Sequence, residues 1–120
     1  MTRFLGNVEK GWGSENIFAS NDLYCGKLLN FNKGAKFSMH FHAVKDESWY
    51  VLSGKFELRA IITEDASIKS TILVEGMSAR ISPLQPHQLI CLEEGSIIEV
   101  STPDSVEDNY RVIPGDSQKV

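Results

Sequence analysis

All three histidines of the chain fall into one spaced pattern with a glutamate: His40-x-His42, then Glu47, then His87 forty residues further on. Side chains alternate between the two faces of a β-strand, so His40 and His42 on a strand present both imidazoles to one side. Glu47 opens the next apolar run, and the short connection Ala43 to Asp46 can bring its carboxylate beside them. His87 can complete the set from a strand across a barrel. Three neutral imidazoles and one carboxylate suit a divalent transition ion such as Zn, Fe, Mn, Ni or Cu, with positions left open for water or substrate. The expected ligands are His40, His42, Glu47 and His87, and the expected cofactor is one such ion per chain.

Strands must carry these groups, and the hydropathy pattern has period two almost throughout. Ser48 to Leu52 and Lys55 to Ile62 read as two strands around a turn at Gly54. Leu23 to Phe31, Ala35 to His42, Ile68 to Val74, Met77 to Ser82, His87 to Leu92 and Ser96 to Val100 read likewise. Asn32-Lys33-Gly34, Thr63 to Ala66, Glu75-Gly76, Pro83 and Glu93-Glu94-Gly95 supply the turns between them. No sustained helical stripe, internal repeat or low-complexity segment is present. Eight or so short strands predict an all-β fold, a small antiparallel barrel of jelly-roll type. A chain of 120 residues is one domain, long enough to bury a core without staples.

A formal charge of −4 argues against non-specific binding to nucleic acid or to an anionic membrane surface. No apolar run approaches the roughly 20 residues that span a bilayer. Met1 to Gly6, followed by Asn7, Glu9 and Lys10, lacks the apolar core of a secretory leader. Cys25 and Cys91 lie far apart and match no metal or redox spacing, so buried free thiols in a cytoplasmic protein are expected.

The spacing Gly34-x5-His40-x-His42-x4-Glu47-x6-Gly54 resembles the first motif of the cupin family, and Gly76, Pro83, Pro86 and His87 resemble the second. Within the second motif Ser82 stands where a proline is usual, Leu84 where a glycine is usual, and Cys91 where an asparagine closes the motif. The resemblance runs from about residue 11 to 102, which implies a cupin barrel there and an acidic tail over 103–120, carrying Asp104, Glu107, Asp108 and Asp116. It also implies a metal held by the four residues named above. Gly11-Trp12-Gly13, Tyr24, Lys27, Ser38, Glu47-x-Trp49, Val51-x-Ser53-Gly54 and Ile98-Glu99-Val100 are similar to the cupin domain of type II mannose-6-phosphate isomerases. That domain has a glutamine where His40 stands and an arginine where Lys45 stands. Cupin dimethylsulfoniopropionate lyases carry a tyrosine base two residues after the glutamate, where this chain has Trp49, whose indole only donates.

Period two puts Lys36 and Ser38 on the face of His40 and His42, and Phe37, Met39 and Phe41 on the other. Glu47, Trp49 and Val51 share the metal face, while Tyr50 and Leu52 point away. An outward row of Phe37, Met39, Phe41, Tyr50 and Leu52 needs a cover, from a second sheet layer and from a homodimer partner. Trp49 is the expected apolar floor for a sugar ring. Lys27, in an otherwise apolar strand, is the expected anion-holding group and, with Glu47, a candidate catalytic residue; as an alternative it is an edge-strand lysine that discourages aggregation. Arg111 is a second candidate phosphate clamp or a solvated tail arginine. Three functions fit: an aldose–ketose isomerase acting on a sugar phosphate such as mannose 6-phosphate, an Fe(II) dioxygenase, or a non-catalytic module binding a sugar or other small molecule.

Overall fold

The computed structural model describes residues 6–118; Met1 to Leu5, read above for a leader, and Lys119 and Val120 lie outside the described residues. The period-two runs become nine strands: β1 (Gly6–Lys10), β2 (Gly13–Ser20), β3 (Cys25–Phe31), β4 (Met39–Phe41), β5 (Glu47–Ile62), β6 (Ser67–Val74), β7 (Ser78–Ile81), β8 (His87–Ser101) and β9 (Tyr110–Ile113). One turn of 3₁₀ helix, Asp116–Gln118, follows. All pairings are antiparallel, in the order β1-β2-β3-β8-β4-β9, with β5 joined to β6, β7 and β8. The expected all-β class holds, and the sheet curls around one core.

Two expected turns are absent. Gly54 lies inside one 16-residue strand, and Glu93-Glu94-Gly95 inside one 15-residue strand. The glycines face each other where β5 and β8 pair, and the register slips between Val51 and Phe56. Gly54 has φ +86°, and a Cβ there would lie 2.7 Å from the Glu93 carbonyl; a Cβ on Gly95 would run into the Ser53 carbonyl. Only glycine allows this close approach, so the two strands bend together through bulges instead of ending. Three further strands, β1, β2 and, in the expected acidic tail, β9, were not anticipated. The sequences of the first two, GNVEK and GSENIFAS, show little apolar alternation, and their pairing with β3 places them in the sheet.

The core gathers Trp12, Leu29, Phe31, Val51, Phe56, Leu73, Leu89, Cys91 and Ile97, with Trp12 stacked on Phe31 at 4.5 Å between ring centroids. Cys25 and Cys91 are both buried free thiols, as expected. The outward row is corrected. The chain from Lys36 to Ser38 is not a regular strand, since β4 starts only at Met39, so alternation does not carry back through it. Phe37 turns inward onto the core while Lys36 is exposed. Met39 is fully buried, and Phe41 stacks on Tyr110 of the tail at 5.0 Å. Tyr50 and Leu52 do point outward and are exposed. The tail reaches the site because β9 pairs with β4, setting Arg111 opposite His40.

Candidate metal centre

β4 carries His40, with His42 one residue past its end; β5 begins at Glu47, β8 begins at His87, and β4 pairs with β8 through His40 and His87 themselves. The ring nitrogens of the three histidines lie within 4.8 Å of one another, and the Glu47 Oε2 lies 3.5 Å from His42 Nε2. The three expected histidines are thus brought together, with Glu47 beside His42.

Each imidazole is oriented by a backbone carbonyl. Nδ1 of His40 is 2.8 Å from the Ser38 oxygen, that of His42 is 2.6 Å from the Asp108 oxygen, and that of His87 is 2.8 Å from the Gln85 oxygen. A carbonyl only accepts, so each Nδ1 carries the proton and each Nε2 keeps its lone pair. This is the arrangement that holds ligating histidines in metal sites. Burial, then the neighbouring His87, pushes His40 down to about 3, and burial pushes His87 down to about 4, so both are neutral at physiological pH.

The Glu47 carboxylate is 3 % exposed. Its Oε1 accepts a hydrogen bond of 2.8 Å from Trp49 Nε1, whereas Oε2 has no hydrogen-bond partner, and neither does the buried Nε2 of His87. Buried polar atoms rarely stay unpaired. Two orphaned acceptors in one cluster of four donors fit a cation. Burial and the nearby Glu99 raise the Glu47 carboxyl well above the usual carboxylate range, and Lys45, 3.8 Å away, only partly offsets them.

A cavity of about 410 Å³ opens on this cluster, its wall shared by Trp12, Phe37, Lys27, Lys45 and Arg111. Phe37 packs edge-on against His40, Trp49 and His87, at 5.1, 5.8 and 6.0 Å between ring centroids. Trp49, expected as the floor for a sugar ring, sits behind the site: it is 1 % exposed and is not on the cavity wall, because its indole is spent on Glu47. Lys27 does face the cavity, but its amine is engaged by Glu15 at 3.4 Å and by Asp104. Arg111 is on the wall beside His40.

Sequence reasoning passed over the ionic cluster next to the ligands. Lys45 Nζ lies 2.9 Å from Glu99, 2.8 Å from Asp104 and 3.8 Å from Glu47. Burial would lower the Lys45 and Lys27 amines, but Glu99 and the other surrounding carboxylates hold both above their ordinary value. A signal for Glu99 existed. It alternates with Ile97 and Ser101, which places a carboxylate on the inner face of β8, where only a buried cation could balance it.

Leu84, standing where the resemblance leads one to expect glycine, takes a left-handed φ of +69°. Its N–H donates to the His42 carbonyl at 2.6 Å, tying the turn before His87 to the His42 strand end.

No protein-family model matches the chain, and no curated protein does. Solved structures do. An RmlC-like cupin from Shewanella frigidimarina superposes with a TM-score of 0.66 at 22% identity, over 89% of this chain and 88% of that one. KdgF from Halomonas sp. matches at 0.68 and 20% identity, over 78% and 81%. The capsular polysaccharide assembling protein CapF from Staphylococcus aureus matches at 0.78 and 20% identity, over 94% of this chain but 33% of its own, so the chain spans about a third of that protein. The fold is that of the cupins.

Proposed function

We propose that this chain is a metal-dependent cupin enzyme that interconverts the aldose and ketose forms of a small phosphorylated sugar. The observation that carries it is the cluster of three histidine nitrogens beside a Glu47 oxygen without a hydrogen bond, reached from a cavity whose wall carries His40, His42 and Glu47 together with lysines and an arginine. Its volume lies in the range of small-molecule sites. A single divalent ion held by His40, His42, Glu47 and His87 would supply Lewis-acid stabilisation of the charge that develops on the sugar oxygens. Glu47 serves as the base only if it gives up its ligand role; it would then take the proton from C2 of the aldose and return it to C1, while the hydroxyl proton on O2 passes to O1. Phe37 and Trp12 offer the ring an apolar surface, and Trp49 holds Glu47 in place from beneath. Arg111 and Lys27 hold the phosphate.

The exposed Tyr50, Leu52 and Val100, on adjoining strands β5 and β8, support pairing of two copies as a homodimer. Two buried thiols suit a reducing cytoplasm. Among the described residues no helix is long and apolar enough to cross a membrane.

The test is metal analysis of the purified chain with proton exchange followed by NMR in D₂O. Close to one transition-metal ion per chain is expected, with deuterium entering C2 of the aldose or C1 of the ketose for a hexose or pentose phosphate. Absence of exchange with every such sugar, together with oxygen uptake by the Fe(II) form, would replace the isomerase by a dioxygenase.

A further inference from the structure

The segment after β8 crosses the mouth of the cavity as a strap fixed at two points. At one end, the Thr102 N–H donates to the Asp46 carbonyl at 3.0 Å, and the Thr102 hydroxyl accepts from the Asp46 N–H at 3.1 Å. At the other, the Asp108 carboxylate accepts from the N–H groups of Ala43, Val44 and Lys45 at 2.6 to 3.3 Å. Between these anchors Pro103 to Glu107 are all exposed, Val106 at 93 %. Ser105 and Glu107 bond to each other. The one side chain the strap sends inward to an ion pair is Asp104. Its Oδ1 meets Lys45 at 2.8 Å and its Oδ2 meets Lys27.

Both lysines are on the cavity wall with His40 and His42, and both keep a second, permanent carboxylate. Glu99 stays with Lys45 from the inner face of β8, and Glu15 stays with Lys27 from β2. Glu47 lies 3.8 Å from Lys45 as well, so the two ammonium groups already face three framework carboxylates. Asp104 is then a fourth carboxylate, lodged between the two cations, and the only exposed, loop-mounted member of the cluster.

We propose that Lys27 and Lys45 form an anion subsite for the phosphate or carboxylate of a small ligand, and that Asp104 is a tethered carboxylate that occupies it until the ligand displaces it. The subsite rests on the reading of this cavity as the substrate pocket, and not on the reaction carried out there. Displacement follows from charge. An external anion added beside Asp104 would set five anionic groups against the two lysines, whereas exchange keeps the number at four. The strap can release Asp104 without loosening Thr102 or Asp108, since no other side chain between them reaches inward to an ion pair. A carboxylate on so short a tether competes at an effective concentration in the millimolar range. Anions at lower concentration therefore bind only where further contacts, to the metal ligands' side of the cavity, add to the two lysines.

Inorganic phosphate is the probe, titrated calorimetrically into the full chain, as purified and after metal removal. Asp104→Asn should bind phosphate at least tenfold more tightly than the unaltered chain in both forms, and Lys27→Met added to it should abolish the gain. In the unaltered chain, saturating phosphate should speed hydrogen exchange of the Asp108 N–H, which donates to the Ser105 carbonyl within the strap at 3.2 Å, while the N–H groups of Thr102 and of Ala43 to Lys45 keep their protection. Equal or weaker phosphate binding by a folded Asp104→Asn chain, or unchanged exchange in the strap at saturation, would overturn the subsite. A gain in phosphate affinity with no sugar-phosphate turnover in any form would uphold it and overturn the isomerase instead.

Discussion

Replacing Trp49 by phenylalanine isolates the single hydrogen bond that orients the carboxylate ligand. The ring stays apolar and keeps its place behind Phe37 and His87, but the 2.8 Å donation to Glu47 Oε1 is lost. Glu47 is buried and its Oε2 already has no hydrogen-bond partner, so neither oxygen of the carboxylate would then be hydrogen-bonded within the protein. A hydrogen bond to a charged group contributes about 1.5–3 kcal/mol, and removal of a partner that orients a metal ligand costs about 10–100-fold in affinity, which is about 1.4–2.8 kcal/mol. The two ranges overlap, so metal affinity should fall by one to two orders of magnitude. Competition with a chelator of known affinity measures it, and a melt of the metal-free protein reads the packing cost of the smaller ring separately. A lowered melting temperature with unchanged metal affinity would refute the reasoning, because Trp49 would then be filling space and not holding Glu47.

Four other outcomes are expected. His40 and His87 sit below the ordinary 6.5 in the fold, so unfolded chains bind protons first as pH falls; their contribution to the metal-free protein should be full above pH 6.5 and be lost toward pH 4 and 3. Glu47, raised to about 8, contributes in the opposite sense between pH 4.5 and 8, so a Glu47→Gln background isolates the histidine limb in denaturant melts at each pH. Burial would raise Asp104, but hydrogen bonds from Lys27 and Lys45 pull it down to about 2, so its contribution is present above about pH 4 and lost on the way to pH 2; with its side chain 40% exposed, roughly 1 kcal/mol survives screening, and Asp104→Asn should flatten that part of the acid profile. Leu84→Gly should stabilise by about 0.5–1 kcal/mol in a thermal melt, since a left-handed φ costs a leucine about 1–2 kcal/mol and the side chain is exposed. Light scattering should give about twice 13.4 kDa, and Leu52→Glu should shift the species toward one copy.

Three members of the candidate cluster, His40, His42 and Glu47, were legible in the sequence because they depend on local spacing, whereas His87 needed the strand across the barrel. His40 and His42 share a face whatever the rest of the chain does, and Glu47 is too near to be elsewhere. What depended on partners distant in sequence was not legible. Gly54 and Gly95 each carry the signature of a turn, and only their meeting across β5 and β8 makes each a bend within a strand. Phe37 was assigned to the outer face by an alternation that the irregular stretch Lys36–Ser38 interrupts. Lys45, Glu99 and Asp104 come from three separate parts of the chain, and their pairing exists only in the fold. Trp49 had the right face but the wrong depth, since period two gives direction and says nothing of how far a neighbour such as Phe37 covers it.

The shared bend has a consequence for the centre it never touches. Along the β5–β8 ladder Trp49 is paired with Glu99, and His87 is paired with Ala60, eleven residues farther on. In a straight ladder that interval would hold them about 36 Å apart. Their rings are 5.6 Å apart. The two ends of one ribbon have been folded back to face each other, and the fold lies midway, where Ser53-Gly54 crosses Glu94-Gly95. Each half is then a lever about 20 Å long whose tip carries part of the ligand set, and a few degrees at the fulcrum move Glu47 against His87 by about an ångström. Substitutions at Gly54 or Gly95 should therefore act as remote adjustments of the bite between two ligands, altering which ion fits while leaving every donor atom in the sequence.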